Sequence, residues 1–107
     1  MKGYELIFMA PRSRRHHGKP VLDAVIDIAK SQGIDRYTRR VNAEGSGTTG
    51  HIHSAHFFEL ADEPEELMLV LDETAADHLI QAVEAEGIYV FLVRRPVEYH
   101  QLGQPAE

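Results

Sequence analysis

Residues 45–56 read GSGTTGHIHSAH, and the reading of this stretch decides the fold. Gly45, Gly47 and Gly50 stand at the G-x-G-x-x-G spacing of a dinucleotide fingerprint. That motif works only where a strand turns through the glycines into a helix, whose N-terminus then holds a pyrophosphate. Here HIHSAHFFEL follows at 51–60 and carries no helical stripe. Gly45 and Gly50 also have the spacing of a phosphate-binding P-loop, but His51 and Ile52 stand where Lys and Ser/Thr are required. Both cofactor motifs therefore lack their context, and a glycine-rich loop between two strands remains.

Working outward, YELIFMA at 4–10 reads as a strand stopped by Pro11. A polar basic loop, PRSRRHHG at 11–18, leads to a helix expected over about 20–32. Pro20 suits its first turn, Val21, Leu22, Val25, Ile26 and Ala29 form its apolar stripe, and Gly33 ends it. IDRYTRRVN at 34–42 reads as a strand entering the glycine loop, and HFFEL at 56–60 as extended chain leaving it. ADEPEE at 61–66 reads as a solvated acidic turn before a buried strand, LMLVL at 67–71. A second helix is expected to open at Thr74 with Asp77 as a shortened capping box, and to end at Gly87. IYVFLV at 88–93 is the last strand.

Two right-handed βαβ crossovers in this order give an α+β fold, the ferredoxin-like βαββαβ sandwich. It has a four-stranded antiparallel sheet with both helices on one face. Residues 1–107 form one domain, with a core at 4–95, a mobile loop at about 43–58 and a C-terminal tail at 96–107. The strands are apolar at consecutive positions, so both sheet faces are expected to be covered. Since the helices take only one, a homo-oligomer with facing sheets is expected.

The net charge of -6 argues against nucleic acid and anionic membranes as partners. The charge is uneven: residues 1–40 carry nine of the eleven Lys/Arg, which gathers Arg12, Arg14, Arg15, Arg36, Arg39 and Arg40 into a candidate basic patch. The chain has no cysteine, its first apolar run is too short to span a membrane, and MKGYELIFMAPRSRR lacks a signal-peptide pattern. A cytoplasmic protein without membrane insertion is the expectation.

His51, His53 and His56 suit a transition metal such as zinc or copper, with His16 and His17 as further ligands; the alternative is a polar loop without a ligand. Ser46, Ser54, Thr48 and Thr49 lie near these histidines without a nucleophile turn or paired acids, so no catalytic residue is assigned and no enzyme is expected.

Several motifs in order resemble a known family. They are Gly18, Lys19 and Pro20 at a helix start; Gly45 and Gly47; Ile52, His53, Ser54 and Ala55; Asp62, Glu63 and Pro64 at an acidic turn; and Asp72 after an apolar strand. Over residues 4–95 the chain resembles the PII-like (GlnB-like) proteins, most closely the family called domain of unknown function 190. The resemblance implies a homotrimer with sheets facing the three-fold axis and a small effector, such as an adenine nucleotide, between subunits. It also implies a long loop that docks on a partner protein, a transporter or an enzyme. The T-G-x-x-G-D-G-K loop of nucleotide-binding PII proteins has no counterpart, since Glu86, Gly87 and Ile88 run straight on. Under this resemblance, effector contacts are expected at Arg39 and Arg40, at the backbone of Gly45, Gly47 and Gly50, and at His53.

Overall fold

The computed structural model describes residues 1–41 and 63–106. The first strand, β1 (Lys2–Pro11), is followed by a short hairpin of β2 (Arg15–His16) and β3 (Lys19–Pro20), then α1 (Val21–Ser31). β4 (Thr38–Val41), β5 (Pro64–Leu71), α2 (Glu73–Glu86) and β6 (Phe91–Glu98) complete the order. The main sheet runs β4-β5-β1-β6, and every neighbouring pair is antiparallel. This is the α+β ferredoxin-like arrangement expected from the sequence.

The core lies between the sheet and both helices. Leu6, Phe8 and Ala10 of β1 and Leu67 and Leu69 of β5 meet Val21, Leu22 and Val25 of α1 and Ala76, Leu79 and Val83 of α2. The period-2 pleat sends alternate residues of each strand to this side. Helix α1 closes with a Schellman turn: Ile34 N–H donates to Ala29 O and Gly33 N–H to Lys30 O, with Gly33 at φ 80°. The second helix starts one residue before Thr74. Its cap is Asp72, whose side chain accepts from the Ala75 N–H at 2.8 Å, so Thr74 lies inside the helix and the Thr74–Asp77 box does not cap it.

Other boundaries also differ from expectation. The basic loop folds into the β2–β3 hairpin, with His17 (φ 52°) and Gly18 (φ 81°) as the two left-handed residues of a type I′ turn. β4 begins only at Thr38, four residues after Ile34. ADEPEE is not wholly a turn, because Pro64, Glu65 and Glu66 already belong to β5. Both glutamates are buried, at 6% and 5% exposure. Charge in the sequence looks solvated, whereas here the ladder draws it in. The last strand lies three residues later than expected, and Pro96 and Glu98 belong to it and not to the tail. β6 is an edge strand, where the missing N–H of Pro96 costs no ladder bond. The extended segment expected at 56–60 and the loop at 43–58 lie outside the described residues.

The helix-free face of the sheet is less apolar than the sequence suggests. Register places Glu5, Ile7 and Met9 of β1 there, beside Glu66, Met68 and Val70 of β5, Thr38 and Arg40 of β4, and Val93 and Arg95 of β6. Arg95 Nε donates to Glu5 Oε1 across this face at 2.5 Å.

Candidate functional site

Arg39 and Arg40, assigned together from sequence, diverge in the structure. Neighbouring positions on a strand face opposite ways, and β4 obeys this. Arg39 lies on the helix side, where its guanidinium donates to Asp23 of α1 at 2.5 Å and to Glu65 of β5 at 3.2 Å. Partial burial acts to lower the Arg39 pKa, but the hydrogen bonds it donates to Asp23 and Glu65, with their charges, outweigh it and the net shift is upward. This cation is committed to tying α1, β4 and β5 together. Arg40 lies on the helix-free side, in register with Glu66, and lines a small recess with Glu5, Thr38, Glu66 and Arg95.

The remaining arginines do not converge either. Arg12 pairs with Glu63 at 2.8 Å, and Arg15 donates to the Arg12 carbonyl. The Arg14 guanidinium stacks 4.3 Å above the Tyr89 ring. Arg36, near the opposite end of the sheet, reaches Gln101 at 3.5 Å. One basic patch is therefore a property of the sequence order and not of the fold.

His16 and His17 do come together, as sequence proximity suggests, with stacked rings 4.2 Å apart between centroids. Stacked imidazoles offer faces and not convergent lone pairs, and His16 Nε2 lies 3.5 Å from Glu86. Among the described residues no group of three His, Asp or Glu side chains is arranged to hold a metal ion. They line a cleft of about 330 Å³ with Lys19 and Asp27, floored by Ala24, Ile28 and Ile88. Lys19 pairs with Asp27, a hydrogen bond that raises its pKa. Gly45, Gly47, Gly50, His51, His53 and His56 lie outside the described residues.

Sequence reading missed the cleft at the other end of the sheet. After β6 the chain turns across the helix-free face near the start of β4, and leaves a cleft of about 760 Å³. Arg36, Tyr37 and Thr38 form one wall, Met68 and Val70 the floor, and Tyr99 to Pro105 the other wall. The root of the tail is fixed: the Met1 amino group donates to Tyr99 O at 3.0 Å and the Tyr99 N–H donates to Met1 O at 2.9 Å. The Tyr99 ring also packs where Gly3 leaves room, since a Cβ at Gly3 would lie 2.9 Å from Tyr99 Cε1. Among the described residues six large apolar side chains are well exposed, and four of them, Met1, Tyr37, Val70 and Leu102, line this cleft. Its only trace in the sequence is faint, two tyrosines flanking two distant apolar strands. A wider hollow of about 1050 Å³ between the ends of α1 and α2 has walls of helix ends and their caps, Gln32, Asp72, Glu73 and Thr74 among them. Size alone does not favour it, because none of the exposed apolar residues lines it.

Known proteins place this architecture. The model of the DUF190 family, described as Uncharacterized ACR, COG1993, matches residues 6–98. None of the curated protein sequences compared matches the chain. Among solved structures, CPII from Thiomonas intermedia bound to ADP, AMP and acetate aligns with a TM-score of 0.65 at 14% identity, covering 94% of this chain and 90% of that one. The apo form of CPII, a nitrogen regulatory PII-like protein, aligns with a TM-score of 0.62 at 14% identity, covering 98% and 96%. A candidate PII-like signalling protein from Thermus thermophilus aligns with a TM-score of 0.56 at 15% identity, covering 90% and 87%. With the family model spanning almost all of the described fold, the chain belongs to the DUF190 family and has the PII-like fold.

Proposed function

We propose that this chain is a non-catalytic regulatory protein of the PII type, assembled as a homotrimer, whose effector is a nucleoside phosphate such as ADP or AMP. The observation that carries this reading is the PII-like fold along nearly the whole chain, shared with a protein whose structure holds ADP and AMP. The helix-free sheet face supports assembly. Ile7, Met68 and Val93 form an apolar band there between the charged groups of Arg40 and Glu66 and the Glu5–Arg95 pair. A neighbouring subunit laid on this band closes clefts at its edges, and Arg40 stands at one such edge on β4.

Effector binding in those clefts, with Arg40, the backbone of Gly45, Gly47 and Gly50, and His53 as contacts, changes the state of the 43–58 segment. That segment engages a partner protein, a transporter or an enzyme. Arg39 contributes indirectly, by holding the strand that leads into the segment. The setting is the cytoplasm, where such nucleotides are found; no helix among the described residues is long and apolar enough to cross a membrane.

Light scattering tests the assembly and calorimetry the effector. Three chain masses in solution and saturable heat with ADP or AMP are expected. A monomeric mass together with no heat across AMP, ADP and ATP would falsify the reading.

A further inference from the structure

The cleft of about 330 Å³ opens between the β2–β3 hairpin, α1 and the end of α2, and the effector reading makes no use of it. Its volume stands at the small end of the range for ligand sites. The floor is hydrocarbon: Ala24 and Ile28, one turn apart on α1, and Ile88, which follows the left-handed Gly87 that caps α2. Ser31 lies further along the same face of α1. Its hydroxyl donates to Ile28 O at 2.6 Å, which leaves the oxygen lone pairs to accept.

Two features of the walls run against local preference. Helix α2 ends on Glu84 and Glu86 with no basic residue in its last turn, although the negative end of a helix favours cations and disfavours carboxylates. Among the described residues the partner of Glu86 is His16, whose Nε2 stands 3.5 Å away, too far for a firm hydrogen bond. His17, at φ 52°, takes the first central position of a type I′ turn, where asparagine before glycine is the favoured pair. In exchange its ring stacks on that of His16 and extends the cleft wall. Lys19 and Asp27 cancel one another, so with neutral imidazoles the lining keeps one net negative charge, that of Glu86.

We propose that this cleft binds a primary aliphatic amine in its ammonium form, such as a short diamine. The ammonium group lies against Glu86 at the carboxyl end of α2, and the hydrocarbon stem covers Ala24, Ile28 and Ile88. Asp27 and Ser31, four residues apart on α1, supply acceptors for the far end of a diamine. Charge-assisted hydrogen bonding and relief of the carboxylate at the negative helix end favour a cation, and burial of the stem favours one that carries hydrocarbon. The stacked imidazoles flank the stem and keep water from it. An anion would meet the net negative lining, and a bare metal ion would meet no group of three ligands among the described residues. The site is separate from nucleotide binding and holds whichever way that reading falls.

Calorimetry and proton NMR on the full-length protein test the site, with 1,4-diaminobutane as the probe. Saturable binding, with shifts of the His16 and His17 ring protons, is the expected result. The uncharged 1-butanol, with the same stem, produces neither. Glu86→Gln weakens binding by about fivefold, the scale of a half-exposed ion pair. His17→Asn removes part of one wall yet suits the turn, so it weakens binding while the melting temperature does not fall. Glu84→Gln, at an exposed acid of the same helix turn outside the cleft, leaves affinity within about twofold of the parent. Absence of saturable diamine binding overturns the site, and so does unchanged affinity in Glu86→Gln or equal binding of 1-butanol.

Discussion

On the helix side of the sheet, Leu6, Phe8, Leu67 and Leu69 are sealed beneath α1 and α2, and the cation at the margin, Arg39, is bound by two carboxylates. On the other side, the same strands present Glu5, Glu66, Arg40 and Arg95 among Ile7, Met68 and Val93. One strand thus serves two environments by alternation alone. The helix side has the composition of a completed core, in which interactions are spent on stability. The helix-free side keeps charge beside apolar surface, the mixture found where proteins meet ligands or each other. It is also the side that the C-terminal tail crosses.

The sharpest test of this contrast is Phe8→Ala. It empties a fully buried aromatic site and should lower unfolding free energy by about 3–5 kcal/mol in urea titrations. An unchanged midpoint would mean that the helix side is not the core. Gly3→Ala follows in size: its Cβ would stand 2.2 Å from the Leu71 carbonyl oxygen, a backbone atom, as well as against the Tyr99 ring. A loss of about 2–3 kcal/mol is expected, with faster proteolysis of the tail as the accompanying sign.

Arg39→Met should cost about 2 kcal/mol, since it leaves the buried Glu65 without its guanidinium partner. It should leave nucleotide affinity close to that of the parent protein. A large loss of affinity with little loss of stability would instead return Arg39 to the effector site and break the division of labour between the two arginines. Met68→Ala, on the helix-free face, should cost the folded chain only about 1 kcal/mol because the side chain is half-buried. If the proposed trimer forms through this face, its main effect should appear in sedimentation as a shift from trimer toward monomer.

The smallest effect lies away from both faces, at Lys19. Its folded pKa is raised above the ordinary 10.5 by the hydrogen bond to Asp27. The stabilising contribution of its charge is therefore complete below that ordinary value and disappears as pH rises through the raised one. The difference in melting temperature between the parent and Lys19→Met should stay constant from about pH 6 to about pH 9 and shrink only in stronger alkali. A difference that changes within the neutral range would overturn this account of the Lys19–Asp27 pair.

Much of the fold was legible because its signals are local. The stripe from Val21 to Ala29 and the Gly33 stop located α1 to within a residue at each end, and the apolar runs located β1 and the latter half of β5. The errors arose where a distant partner changed the meaning of a residue. Glu65 and Glu66 read as a solvated turn, yet Arg39, far away in sequence, allows one of them to be buried in β5. Arg94, Arg95 and Pro96 read as chain beyond the last strand, yet pairing with β1 continues through them. The candidate site was less legible still, because a cleft is made by what the fold brings near and not by any one segment.

By itself, then, the sequence determined the order of elements and the ferredoxin-like sandwich they imply, since periodicity and helix ends depend on residues a few positions apart. It also carried, in the order of its motifs, the likeness to the PII-like family. The tertiary structure alone decided that Arg39 and Arg40 work on opposite faces, and that the basic residues disperse into separate pairs. It alone placed Met1, Tyr37, Val70 and Leu102 around one cleft. Those facts depend on strand pairing across tens of residues, and hydrogen-bonded register, unlike local pattern, exists only once the chain has folded.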